Sequence, residues 1–207
     1  MSAVQDFGKP LLEEEADPDP LRQFAAWFRE AGDSGMRAPE AMAVATAAPG
    51  GTPSVRMVLM KHFDERGFVF YSNYESRKGV ELFDNPRAAL LFHWDTLGRQ
   101  VRIEGPVERT GAEESERYIR SRPRGSQLSA LASPQSRPVE SRNELERLVA
   151  ELAALHEEDD LPLPERWGGY RVAPERYEFW QHRDDRLHDR LVYTRQDGGW
   201  AIQRLAP

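Results

Sequence analysis

Four stretches of this 207-residue chain put cations where a lone domain has little use for them. In Ser76-Arg77-Lys78-Gly79 the serine suits a helix N-cap, so Arg77 and Lys78 fall in the first turn, where the helix dipole disfavours positive charge. An anion such as a phosphate at that N-terminus would reverse the balance; long side chains reaching into water would also relieve it. In SVRMVLMKHF, Arg56 and Lys61 are five apart, so a continuous strand sends them to opposite faces, each emerging from a largely buried apolar run. They are either partnered charges or guards of a sheet edge. In RYIRSRPRGSQ, Tyr118 and Arg122 share a helix face, Pro123 ends the helix at Arg122, and Ser126 follows in the next turn. These three can converge on one phosphate, or the arginine can simply answer the helix C-terminus. In RLHDR, an extended strand lines up Arg186, His188 and Arg190 on one face. Such a row repels itself unless an anion or a polarised ring lies over it, or unless Asp184 and Asp185 neutralise it. Two anion sites, with Gln100 and Trp180 to border a planar ring, make an inventory for holding two phosphorylated planar molecules together.

The chain as a whole is acidic: 28 Lys+Arg against 35 Asp+Glu give a formal net charge of −7. That argues against bulk nucleic-acid binding and makes the cation clusters local features. Only Lys9, Lys61 and Lys78 are lysines, so a lysine kept in so arginine-rich a chain hints that a compact ammonium is wanted. The absence of cysteine excludes disulfides, iron–sulfur clusters, thiolate zinc sites and cysteine nucleophiles; no metal site is expected. No apolar run approaches the ~20 residues that span a bilayer, and MSAVQDFGKPLLEEEADPDP lacks the basic and apolar regions of a signal peptide. A cytoplasmic protein without membrane partners is expected.

The elements that must position these groups follow from periodicity. Residues 1–18, polar and acidic, read as a mobile arm, and 19–207 as a single domain. Leu21, Phe24, Trp27 and Phe28 mark a helical face begun by Asp19 and Pro20 and stopped by Gly32. AMAVATA, SVRMVLMKHF, FVFYS, AALLFHW, RQVRIEGPVER, YRVAPERYEFWQ, DRLVYTRQ and WAIQRLA read as strands joined by short turns, DERG and Gln196–Gly199 among them. Helices are expected at SRKGVELFDN, GAEESERYIRS and SRNELERLVAELAALHEE, the last with a Ser141/Glu144 capping box. The fold class is α+β, mainly antiparallel β, with a barrel the natural closure.

The segments RMVLMKHFDERGFVFYSNYESRKG, LLFHWDTLGRQVRIEGPVER, RYIRSRPRGSQ, EFWQ, RLHDR and the final RLAP closely resemble the pyridoxine/pyridoxamine 5′-phosphate oxidase family, in order from about residue 19 onward. The resemblance implies an FMN-binding split β-barrel with flanking helices, working as a homodimer with FMN at the subunit interface. It implies that Arg56, Arg77 and Lys78 meet the FMN phosphate, joined by Gln135 and Ser136 of the other subunit. Met57, Val58, Leu59, Met60, Lys61, Tyr71 and Ser72 would line the flavin, and Gln100, Trp180 and Arg190 would contact its ring system. Lys61, Tyr118, Arg122 and Ser126 would hold the substrate phosphate, while Arg186 and His188 would lie over the pyridine ring as the catalytic pair. The implied reaction oxidises pyridoxine 5′-phosphate or pyridoxamine 5′-phosphate to pyridoxal 5′-phosphate with O₂, releasing hydrogen peroxide, and ammonia from the amine.

The chain departs from the family pattern at Ser72, where threonine is common, at the charged His182–Asp185 segment, and at Glu13–Glu15, where some relatives are basic. The competing readings are a related FMN split-barrel oxidase acting on a phenazine precursor, and a non-catalytic FMN or pyridoxal-phosphate carrier.

Overall fold

The computed structural model describes residues 9–156, 161, 162 and 164–207. Helix α1 (Pro20–Asp33) is followed by strands β1 (Ala41–Ala47), β2 (Pro53–Leu59), β3 (His62–Asp64) and β4 (Gly67–Asn73). After α2 (Arg77–Asp84) come β5 (Arg87–Trp94) and β6 (Arg99–Arg109), then α3 (Ala112–Ser121), α4 (Arg124–Ala132) and α5 (Arg142–Leu155). The chain closes with β7 (Trp167–Val172), β8 (Arg176–Gln181), β9 (Asp189–Gln196) and β10 (Gly199–Arg204).

All strand pairs are antiparallel. One run orders the strands β10-β9-β8-β6-β5-β1-β2, and β3-β4-β7 joins it through β6. Strand β6 makes the corner: residues 99–106 pair with β5 and β8, and residues 107–109 with β7. This is the expected split barrel. Helix α1 closes its interior, with the ring of Phe24 4.8–5.0 Å from those of Phe68, Phe63 and Phe92. Burying a ring of that size contributes about 1.5–3 kcal/mol.

Local signals set most of the boundaries. The Asp19 carboxylate accepts from the Leu21 N–H ahead of Pro20, and the Ser141 hydroxyl accepts from the Glu144 N–H. The expected helix stop at Gly32 is wrong. The helix runs on to Asp33, Ser34 caps it, and Gly35 takes the left-handed conformation at φ +78°. The fully buried Ala31 keeps the last turn against the core, which carries the helix past the first glycine.

Two other expectations change. SVRMVLMKHF breaks after Leu59, and β2, paired among the described residues only with β1, forms a sheet edge. It is therefore not largely buried: Val55, Met57 and Leu59 are 68, 66 and 42% exposed. Of the expected arm, residues 1–8 lie outside the described residues, and the rest is seated on the last hairpin. Buried Leu11 donates its N–H to Asp189, Arg204 holds Glu13 and the Leu11 carbonyl, and the Tyr193 hydroxyl donates to the Asp17 carbonyl. Of the acidic residues that suggested a free segment, Glu13 finds its cation on β10. Among the described residues no helix is long and apolar enough to cross a membrane.

Candidate active site

One cavity of about 830 Å³ runs along the β2 edge and is bounded by β4, α2, α3, α4 and the segment after α4. Its walls carry Arg56, Lys61, Arg77, Lys78 and Arg122 and, among the described residues, no carboxylate. Met57, Val58, Leu59, Tyr71, Ser72, Tyr118, Ser126, Gln135 and Ser136 line it too. Met60 does not: its side chain belongs to the core, and its N–H donates to the Glu40 carbonyl. Arg56 and Lys61, expected on opposite faces, meet the same cavity because the chain leaves the sheet between them.

At one end Ser76 caps α2, its hydroxyl accepting from the Gly79 N–H, so that Arg77 and Lys78 open the helix as expected. Lys78 is 7% exposed, and its ammonium donates to Ser72 Oγ (2.8 Å), Gln135 Oε1 (3.2 Å) and Ser76 Oγ (3.3 Å), all neutral. Burial, and then the nearby Arg56 charge, push its pKa down to about 8. Arg56 spends its terminal nitrogens on the Val44 carbonyl, Thr46, Ser54 and Glu81. The other Glu81 oxygen accepts from Arg77 at 2.9 Å. Burial alone would raise the Glu81 carboxyl, but hydrogen bonds from Ser54, Thr46 and Arg77 and the Arg56 charge outweigh it and hold the pKa at about 2. Glu81 thus braces both arginines from behind, while Lys78 has only neutral partners among the described residues.

Gln135 and Ser136, expected from a second subunit, lie in this chain's own cavity, Gln135 against Ser72 and Lys78. The chain after α4 folds back over the start of α2, tied by Asn73 to the Ser133 carbonyl and by Arg137 to Glu75.

At the other end α3 presents Tyr118 and, at its C-cap, Arg122. The Tyr118 ring stacks on Tyr71 (3.9 Å between centroids) and parallel to Trp167 (6.0 Å), and the Arg122 guanidinium lies 6.0 Å from the Trp167 ring. Burial and then the Glu114 charge push the Tyr71 phenol up to about 12, so it stays a donor at neutral pH.

The remaining expected residues lie apart from this cavity. Gln100, Trp180 and Arg190 stand in one register row across β6, β8 and β9, and line a hollow of about 290 Å³ with Leu91, Arg102 and Glu178. Glu178, buried, takes Arg190 at 2.8 Å and Arg102 at 3.2 Å. The extended reading of RLHDR fails. The chain turns from β8 to β9 through Asp184–Arg186, Asp185 and Arg186 hold positive φ (+54° and +63°), and the strand begins only at Asp189. Arg186, His188 and Arg190 therefore do not share a strand face. His188 packs against Trp180 (4.5 Å) and His182 (5.0 Å), and its Nδ1 lies 3.1 Å from the Arg183 backbone nitrogen. Burial, then His182 and Arg186, lower its pKa.

The two groups border one sheet face. Met57, Ala43, Leu91, Arg102 and Glu178 follow one another in register from β2 to β8, so the exposed residues of β2 and the walls of the hollow face the same way.

Residues 28–156 match the family described as pyridoxamine 5′-phosphate oxidase, and residues 167–207 match the pyridoxine 5′-phosphate oxidase C-terminal dimerisation region. The chain belongs to the pyridoxamine 5′-phosphate oxidase family. It is 59% identical over 197 residues to a pyridoxine/pyridoxamine 5′-phosphate oxidase of Rubrobacter xylanophilus, covering 95% of this chain and 91% of that one. The like-named protein of Gluconobacter oxydans is 54% identical, with 96% and 98% covered. Among solved structures, PhzG from Burkholderia lata in complex with tetrahydrophenazine-1-carboxylic acid superposes with a TM-score of 0.89 at 33% identity, covering 95% of this chain and 98% of that one.

Within this oxidase-family cavity, sequence reasoning missed Glu81 and Trp167. The i, i+4 spacing of Arg77 and Glu81 was a usable signal for the first. Trp167 shows its place only once β7 lies beside β4.

Proposed function

We propose that this protein oxidises pyridoxine 5′-phosphate and pyridoxamine 5′-phosphate to pyridoxal 5′-phosphate with O₂, using FMN. The observation that carries this reading is the main cavity, with five cations and no carboxylate among the described residues, in a chain of net charge −7. Lys78, buried among neutral partners, is a cation in want of an anion, and the FMN phosphate fits it. The apolar Val55–Leu59 edge suits a flat ring system. FMN, when bound, supplies the two-electron redox chemistry with O₂ as final acceptor.

The chain's own share is binding and alignment. Arg56, Arg77 and Lys78 take the cofactor phosphate, with Glu81 setting the two guanidinium planes. Lys61, Arg122, Ser126 and the Tyr118 hydroxyl hold the substrate phosphate, and so fix where its 4′ carbon lies. With Nδ1 accepting from the Arg183 N–H, neutral His188 carries its proton on Nε2 and offers a donor to the pyridine oxygen. Arg186 adds a fixed positive charge that favours the deprotonated form of that oxygen and holds the ring in place.

Gln100, Trp180, Arg186, His188 and Arg190 act on the partner's cavity in a homodimer. This reading is supported by the shared sheet face, by the exposed Val55, Met57 and Leu59, and by the dimerisation-region match. The deciding experiment is oxygen-dependent aldehyde formation by FMN-reconstituted protein, given each phosphorylated substrate in turn. Repeated turnover with peroxide release is expected; a flavin-loaded protein that makes no aldehyde overturns the substrate assignment. The likeness to PhzG favours a phenazine precursor as the second substrate to try.

A further inference from the structure

The substrate-phosphate end of the cavity is built from two pieces of chain that form no ladder with each other: Lys61, between β2 and β3, and the α3 segment carrying Tyr118 and Arg122. Beneath them lies an ionic junction. The Arg171 side chain on β7 is 2% exposed. One terminal nitrogen donates to Asp64 at the end of β3 (2.9 Å), the other to both oxygens of Glu114 in the first turn of α3 (3.0 and 3.2 Å). Glu114 Oε1 also lies 3.2 Å from Nε2 of His62, the residue after Lys61. Glu114 stands one helical turn before Tyr118 and on the same side of α3.

The helix is seated closely on β7. The Gly169 N–H donates to Ser115 Oγ at 3.2 Å. A Cβ at Gly168 would lie 2.9 Å from the same Ser115 Oγ. Apolar contact alone could dock a helix here, but it would leave its slide along β7 loosely set. A guanidinium with planar, directed donors fixes distance and angle together, and it is costly to bury unless those donors are met.

We propose that Arg171 is a positioning residue for substrate-phosphate binding, setting the separation between Lys61 and the Tyr118–Arg122 end of α3 through Glu114 and His62. The proposal rests on the reading of that end as the substrate-phosphate clamp. The groups facing Arg171 are His62 and Asp64 from β3, Glu114 from α3, and Glu108, its register neighbour on β6. None of them lines the main cavity, and none bonds to Arg56, Arg77 or Lys78, which Glu81, Ser72 and Gln135 hold separately. The two ends can therefore be perturbed independently.

The test uses FMN-loaded Glu114→Gln, Arg171→Gln and Arg171→Lys. KM and kcat are measured for pyridoxine 5′-phosphate, and the FMN dissociation constant by flavin fluorescence. The expected result is a KM raised about tenfold in Glu114→Gln and Arg171→Gln, a smaller rise in Arg171→Lys, kcat within about twofold, and an unchanged FMN dissociation constant. A folded, flavin-loaded Glu114→Gln with the parent KM overturns the proposal. Parallel loss of FMN affinity also overturns it, because the junction would then serve the fold at large. Should Arg171→Gln fail to fold, the other two variants decide. Should the parent enzyme make no aldehyde, the failure belongs to the functional reading. Calorimetric binding of inorganic phosphate to the flavin-loaded variants then decides: weakened binding upholds Arg171 and unchanged binding removes it.

Discussion

Lys78 Nζ sits 2.8 Å from Ser72 Oγ in a cavity whose described walls carry no carboxylate. The ammonium is held below its ordinary 10.5, at about 8, by burial first and the Arg56 charge second. The unfolded chain keeps the ordinary value, so between about pH 8 and 10.5 it binds the proton that the folded chain has released, and ligand-free stability rises over that window. A bound phosphate restores the proton. FMN binding near pH 8.5 should therefore take up protons, and affinity should fall as pH rises above about 8. Calorimetry in buffers of different ionisation enthalpy reads the uptake. Lys78→Gln should abolish it and weaken FMN by about 10–100-fold. Proton-neutral binding by the parent protein at pH 8.5 would remove Lys78 from the phosphate site.

Glu81 carries the opposite sign. Its carboxyl is held at about 2 against an ordinary 4.5, so its contribution is complete above 4.5 and is lost as pH falls toward 2. Glu81→Ala strands Arg56 and should cost about 3 kcal/mol in urea unfolding at pH 7. Glu81→Gln should cost less, and its deficit against the parent should shrink between pH 4.5 and 3. A deficit constant over that range would mean that the carboxylate charge is not what braces the arginines.

The clamp and the ring contacts should separate kinetically. Arg122→Ala should raise KM by about 10–100-fold with modest change in kcat, while Arg186→Ala should lower kcat by a similar factor. Comparable kcat losses for both, with KM untouched, would dissolve that division of labour.

His188 should be neutral at pH 7 with its proton on Nε2, since Nδ1 accepts from the Arg183 N–H and burial, then His182 and Arg186, lower its pKa. Nitrogen-15 NMR of histidine-labelled protein distinguishes the tautomers directly. A protonated Nδ1 at pH 7 would break the Arg183 contact and recast His188 as an acceptor toward substrate.

Features set by near neighbours were legible in the sequence. Asp19, Ser76 and Ser141 cap helices through bonds spanning two or three residues. The main cavity was legible as well, because α2 and α3 each carry their cations on a short motif. What failed depends on distant partners. Leu11 and Glu13 are held by Asp189 and Arg204 from the far end of the chain. The spacing to Arg77 hinted at Glu81, but its hold on Arg56 runs beside Thr46 and Ser54, 35 and 27 positions away from it. RLHDR has the spacing of a strand, but the route from β8 to β9 demands a turn with left-handed residues, and alternation cannot announce that.

Strand β2 gives the protein a hazard as well as a wall. Its outer rim has unpaired backbone, and Val55, Met57 and Leu59 stand uncovered beside it. Such an uncovered rim is a template to which another chain can add a strand. Crowded copies that keep this rim uncovered are prone to clump through it.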